Sequence, residues 1–257
     1  MSEPPDGAPP IFVVGSPRSG TTLLRLVLDS HSHIACGPET HILADMDDSC
    51  RLHWSRLQRY GRDREYWYAK CRRFFEEVKL DYSAAKNKPR WADKTPAYAL
   101  HLPFINALFP KAQIVHVIRD ARMVTASVLA RWGWRAAWHA PVKWAESVSR
   151  ARGFGTGLPA AQYREIRFEE LIADVEGTLR GLCEWLGEPW EPGLLDYDRY
   201  EHDGSGRNRE VRSEARSAEG QAVDSRRATK PRQQLDPLLG ARVQRVAGRL
   251  NRELGYT

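Results

Sequence analysis

Residues Ile11 to Thr22 read IFVVGSPRSGTT, an apolar strand that breaks into a turn framed by two glycines and runs on into a helix. Gly15 and Gly20 have the separation of the glycines in G-x-x-x-x-G-K-[ST]. The turn is therefore expected to offer successive backbone N–H groups and the N-terminus of the next helix to a phosphate. The lysine of that pattern, which serves the β- and γ-phosphates of a nucleotide, is replaced by Thr21, and Arg18 lies inside the loop. That exchange argues against ATP and for one phosphate carrying a different leaving group. The plainer reading is a βα turn whose glycines merely allow the bend. A cation and three hydroxyls around one turn (Arg18, Ser19, Thr21 and Thr22) speak against it.

The segment PRSGTTLLRLVLDSH, from Pro17 to His31, resembles the 5′-phosphosulfate loop of sulfotransferases that use 3′-phosphoadenosine 5′-phosphosulfate (PAPS). A second segment, RDARMVTAS from Arg119 to Ser127, follows the apolar run QIVHVI and resembles the family's grip on the 3′-phosphate. A guanidinium at a strand end can pair two phosphate oxygens at once, and this is the role the resemblance implies for Arg119, with Ser127 beside it. Read alone, Arg119-Asp120 would serve equally well as a local ion pair capping a helix. Arg122 has no assigned partner and is read as surface.

Within the family the motifs come closest to the tyrosylprotein group, which has C-G-E-E-T after the same loop, helix and turn. Cys36, Gly37, Glu39 and Thr40 match, Pro38 replaces the first glutamate, and His41 stands where that group has arginine. The resemblance implies that Glu39 takes the acceptor's proton, since a hydroxyl is a poor nucleophile until deprotonated. A carboxylate favoured by the dipole at a helix start is the bland alternative. His41 is a competing base, because cytosolic members use histidine. Lys94, in WADKTP, matches the lysine that meets the bridging oxygen of the donor, where negative charge grows as the bond to sulfur breaks. Phe168, in IRFEELIADVEG, stands where a tyrosine is frequent beside the adenine, so the ring keeps its stacking face but brings no hydroxyl. Lys230, in ATKPRQQ, is a weaker match to a lysine that closes over the donor.

The chain is expected to be α/β, with a P-loop NTPase-like parallel sheet flanked by helices on both faces. Strands are read at Ile11–Val14, His33–Cys36, Gln113–Ile118 and Tyr163–Phe168. Helices are read from Thr21, from Ala121 towards Arg131, and up to Leu186 with a stop at Gly187 and Pro189. Trp91–Lys94 is read as leading into a helix that ends near Phe109. Between Ile42 and Lys79, helical spacing with Trp54, Tyr60, Tyr66, Trp67, Phe74 and Phe75 suggests helices covering the site, their aromatics serving as core and cover. Residues 1–10 are expected to form a disordered lead and 11–257 a single domain. Within that domain, 207–232 is read as a flexible charged segment and Leu235–Leu254 as a helix docking back.

At 257 residues the chain can bury a full core as one domain. Its formal charge of +6 is spread among acidic residues without a basic arm, which suits a polyanionic small ligand better than nucleic acid. There is no apolar run long enough to span a membrane, and MSEPPDGAPP lacks an export pattern, so a cytoplasmic location is expected. The four cysteines show no C-x-x-C spacing, and no metal is expected. The partner is expected to be a small-molecule, glycan or peptide hydroxyl acceptor, a homodimer being allowed. Two rival readings are a P-loop small-molecule kinase, which lacks its lysine here, and a non-catalytic binding protein of the same fold.

Overall fold

A computed structural model of the protein describes residues 7–203 and 235–256. Five strands, β1 (Ile11–Gly15), β2 (Ile34–Cys36), β3 (Arg90–Lys94), β4 (Gln113–Ile118) and β5 (Tyr163–Arg167), form one sheet in the order β2-β3-β1-β4-β5. Every pairing is parallel; Val13 lies beside Lys94 on one side and Val115 on the other. The helices are α1 (Thr21–Ser30), α2 (Ile42–Leu52), the single turn α3 (Trp54–Leu57), α4 (Arg64–Ala85), α5 (Leu102–Leu108), α6 (Ala121–Gly155), α7 (Phe168–Ala173), α8 (Val175–Leu186) and α9 (Pro237–Glu253).

The two-residue period of a strand sorts β1 between two cores. Ile11 and Val13 pack with α1, α7 and α8, whereas Phe12 and Val14 pack with Phe75, Trp91, Tyr98 and Leu102 on the other face. Covered on both sides, the sheet accepts the continuous apolar run that β1 shows. A third cluster joins α6 to α9 through Trp144, Val148, Leu239 and Val243, so the tail helix docks on the body as its periodicity implies.

Several boundaries differ from the sequence reading, each for a long-range reason. Arg90–Lys94 is an inner strand and not merely a lead-in, although three of its five residues are charged. Arg90 is tolerated there because its guanidinium donates to Pro9 O, Leu186 O, Glu188 and Gln113. The stretch that follows is divided into a 3₁₀ turn, Pro96–Leu100, and α5. Helix α6 runs well past Arg131, broken at Gly133, whose φ of 78° only glycine adopts without strain. Strand β5 stops at Arg167, and Phe168 already opens α7.

Of the six aromatics named above between Trp54 and Phe75, Phe75 alone is fully buried; Tyr60, Tyr66 and Phe74 are exposed, so the expected core role holds for one ring. Pro9 and Pro10 are tied to the sheet by Arg90 and by Gln113 N–H, against the expectation of a disordered lead through residue 10. Residues 1–6 and the segment 207–232, with Lys230, lie outside the described residues.

Candidate active site

The loop after β1 is built by backbone that side chains would obstruct. A Cβ on Gly15 would sit 2.5 Å from Val117 O, and one on Gly20 would enter the Phe168 ring, with Cε2 at 2.6 Å. Gly20 caps α1 at φ 98° with no side-chain cap, and Arg18 also adopts a positive φ of 72°. The first-turn amides of α1 are thus left to a ligand, with the helix dipole favouring an anion. Ser19 Oγ is buried and has no hydrogen-bond partner among the described residues. An orphaned hydroxyl among uncapped amides is the chemistry a phosphate or phosphosulfate group satisfies. The loop therefore fits the phosphate or phosphosulfate end of an anionic ligand.

Arg18 and Ser127 meet across the loop, Nε donating to Oγ at 3.0 Å. Arg119 donates to Arg18 O at 3.1 Å, and its guanidinium lies 4.4 Å from the centre of the Phe168 ring. The structure thus brings Arg18, Gly20, Arg119, Ser127 and Phe168, from three separate segments of the sequence, to one corner at the C-terminal ends of β1 and β4. Asp120 does not pair with Arg119. It caps α6 through Arg122 N–H at 2.8 Å and forms its ion pair with the Arg122 side chain, so Arg122 is a half-buried partner and not free surface. That pair raises the guanidinium's affinity for its proton.

Sequence reasoning missed the groups that brace this corner. Asn251, from α9, accepts from Ala121 N–H and donates to Asp120. Tyr256 donates to Glu169, whose other oxygen accepts Asp120 N–H. An asparagine and a terminal tyrosine carry no local signal of such a role.

The second half of the site lies where β3 ends. Lys94 Nζ is ion-paired with Glu39 Oε1 and stands 3.4 Å from Thr22 Oγ1 in the first turn of α1. The ammonium therefore joins the phosphate-type loop to the Glu39 turn. The Lys94 side chain is 3 % exposed and Glu39 23 %, so the carboxylate is the more open member of the pair. His41 Nε2 lies 3.4 Å from Glu39 Oε2 on a half-exposed ring, with φ 59° at the start of α2. Thr21, in the first turn of α1, is buried. Glu39, His41 and Lys94 are thus brought together, and Thr22 links them to Arg18 and Ser19. A carboxylate able to take a proton stands beside an ammonium able to meet developing negative charge.

Burial pushes the Cys36 thiol up to about 12 and Cys183 to about 11, which suppresses their thiolates. Among the described residues one group has metal-like spacing: His31, His33 and Glu188. His31 donates from Nε2 to Pro189 O and accepts His33 N–H at Nδ1, while Glu188 binds His33 and Arg90, so those ligand atoms serve hydrogen bonds. No helix among the described residues is long and apolar enough to cross a membrane.

Comparison with known proteins bears on the same residues. A family model described as "Sulfotransferase family" matches residues 9–192, from the strand before the loop to beyond α8. Protein-tyrosine sulfotransferase A of Caenorhabditis elegans is 27% identical over 214 residues, which cover 75% of this chain and 53% of that protein. The protein-tyrosine sulfotransferase of Drosophila melanogaster is 25% identical over 205 residues, 75% of this chain and 40% of that protein. The chain thus spans about half the length of these curated relatives. Among solved structures, the sulfotransferase domain of the Synechococcus PCC 7002 olefin synthase superposes with a TM-score of 0.71 at 24% identity, covering 100% of this chain and 98% of that one, a likeness of fold. With the match spanning all five strands and both halves of the site, the chain belongs to the sulfotransferase family.

Proposed function

We propose that this chain moves a sulfuryl group from PAPS to an acceptor hydroxyl. The observation that carries the reading is the position of Lys94, one ammonium shared between Thr22 of the anion loop and the Glu39 carboxylate. The donor supplies the sulfuryl group, and adenosine 3′,5′-bisphosphate is what remains of it. Arg18, Ser19 and the backbone from Gly20 to Thr22 hold the 5′ end. Arg119 and Ser127 hold the 3′-phosphate, with Phe168 along the adenine. Lys94 stabilises the charge left on the bridging oxygen. Glu39, released from its ion pair as Lys94 turns to that oxygen, takes the acceptor proton, with His41 beside it to orient the carboxylate. No metal has a part in this scheme. Peptidyl tyrosine is the proposed acceptor class, because the curated relatives are named for it and because the Glu39 turn follows their motif.

The kinase reading would place a cation on a nucleotide's terminal phosphates at position 21, where Thr21 stands. The test is direct. Adenosine 3′,5′-bisphosphate should raise the melting temperature more than ADP or AMP, since ligand binding stabilises by mass action. Arg119→Ala should abolish that preference. Labelled sulfate should pass from PAPS to a tyrosine peptide in EDTA, with a sugar and a simple phenol as comparison acceptors. Equal stabilisation by the three nucleotides together with absence of transfer to any acceptor would refute the assignment.

A further inference from the structure

The turn that carries Glu39 and His41 is held by residues outside it. His41 caps α2 in a left-handed conformation and makes no side-chain capping bond. The first-turn amide of Leu43 donates instead to the hydroxyl of Tyr98, at 3.1 Å. Having accepted that bond, Tyr98 has its own proton for Thr40 Oγ1, at 3.0 Å, and Thr40 in turn donates to Asp93 Oδ2, at 3.3 Å. Burial, with the charge of Asp93 adding to it, raises the Tyr98 phenol well above the ordinary range, which keeps that proton in place. Asp93 also accepts from Thr95 Oγ1 at 2.7 Å and pairs with Lys79 Nζ at 2.5 Å. The Asp93 side chain is 0 % exposed and that of Lys79 is 4 %.

Two consecutive residues of β3 therefore grip two consecutive residues of the turn. Lys94 takes Glu39, and Asp93, facing the other way along the strand, takes Thr40. A buried ion pair generally adds little net stability over an apolar pair of the same volume, because both charges lose their water. What the Asp93–Lys79 pair does supply is a fixed direction for the carboxylate that Thr40 meets. We propose that Asp93 is a positioning residue for sulfuryl transfer: through Thr40, with Lys79 and Tyr98 completing the tie, it holds Glu39 in register with Lys94. The inference rests on the reading of Glu39 and Lys94 given above.

Removing Asp93 itself would strand the Lys79 charge in the interior and endanger folding, so the tie is better cut at its hydroxyls. Thr40→Val keeps the shape and removes the bond; Thr40→Ser restores the hydroxyl; Tyr98→Phe removes the next link. With the best acceptor from the panel, single-turnover transfer should fall about 10–100-fold in Thr40→Val, the scale of a small misplacement of a reacting group. Affinity for adenosine 3′,5′-bisphosphate, measured by calorimetry, should stay at the wild-type value. Thr40→Ser should recover the rate, and Tyr98→Phe should both slow transfer and speed hydrogen exchange at the Leu43 amide. Wild-type transfer in Thr40→Val overturns the proposal. So does a loss of rate matched by a loss of nucleotide affinity and not rescued by serine, which would mark Thr40 as structural only. A wild-type chain that transfers sulfate to nothing overturns the broader reading, and this one with it; the first two outcomes leave the broader reading standing.

Discussion

Gly20→Ala tests the geometry at the centre of the site, because two independent costs meet at one added methyl group. The backbone there sits at φ 98°, and a left-handed conformation costs an L-residue about 1–2 kcal/mol. The new Cβ would also enter the Phe168 ring, 2.6 Å from Cε2 and 3.2 Å from Cγ, and overpacking of this kind costs about 1–3 kcal/mol. The sum, about 2–5 kcal/mol, corresponds to a fall in melting temperature of about 4–20 °C for a domain of this size. The ring cannot yield freely, since Arg119 lies over it at 4.4 Å and α7 begins with it. Affinity for adenosine 3′,5′-bisphosphate should therefore fall along with stability. The assay is a double-mutant cycle in urea with Phe168→Ala, which alone should cost about 3–5 kcal/mol as a large buried truncation. In the double variant the steric part disappears and the strain stays, so the two losses should fall short of adding by about 1–3 kcal/mol. Strict additivity would show that the Cβ and the ring do not meet, and the placement of Phe168 beneath the loop would be wrong.

Glu39→Gln should fold and bind adenosine 3′,5′-bisphosphate as the wild type does while losing about 10²–10⁴-fold in turnover, and His41→Ala should lose less; the reverse order in steady-state kinetics would make His41 the base. The buried His116 donates to Tyr163 at 2.7 Å, and burial lowers its pKa to about 3. The unfolded chain therefore binds a proton there below about 6.5 that the folded chain refuses, and stability is lost as pH falls from 6.5 towards 3. By pH 5 the loss should be on the order of 2 kcal/mol, and His116→Leu should remove that share of the slope in urea titrations taken at pH 5 and pH 7.

Much of the site is legible along the chain because its parts are local. The strand, glycines and hydroxyls between Ile11 and Thr22 are contiguous, and their conformation follows from backbone rules that need no distant partner. The same holds for β4, whose apolar run coincides with Gln113–Ile118, and for the end of α8, where Gly187 takes φ 75° as a left-handed stop. Glu39 and Lys94 stand out through motifs, and the fold puts them in contact.

Other features depend on the partner that burial provides, and no local pattern announces a partner. Arg90, Asp93 and Lys94 make β3 look like surface until Glu188, Lys79 and Glu39 are placed against them. Arg25 and Asp29 seem to mark the outer face of α1, yet both are buried: Arg25 donates to Cys36 O, and Asp29 holds His202. Asn251 and Tyr256 brace the Arg119 corner from the far end of the chain. The sequence by itself determined a parallel α/β fold with an anion loop at one strand end, since those follow from periodicity and backbone conformation. Only the tertiary structure decided which charges could be buried and which hydroxyls could hold the Glu39 turn, because a charge or a hydrogen bond removed from water is stable only when its counterpart arrives from elsewhere in the chain.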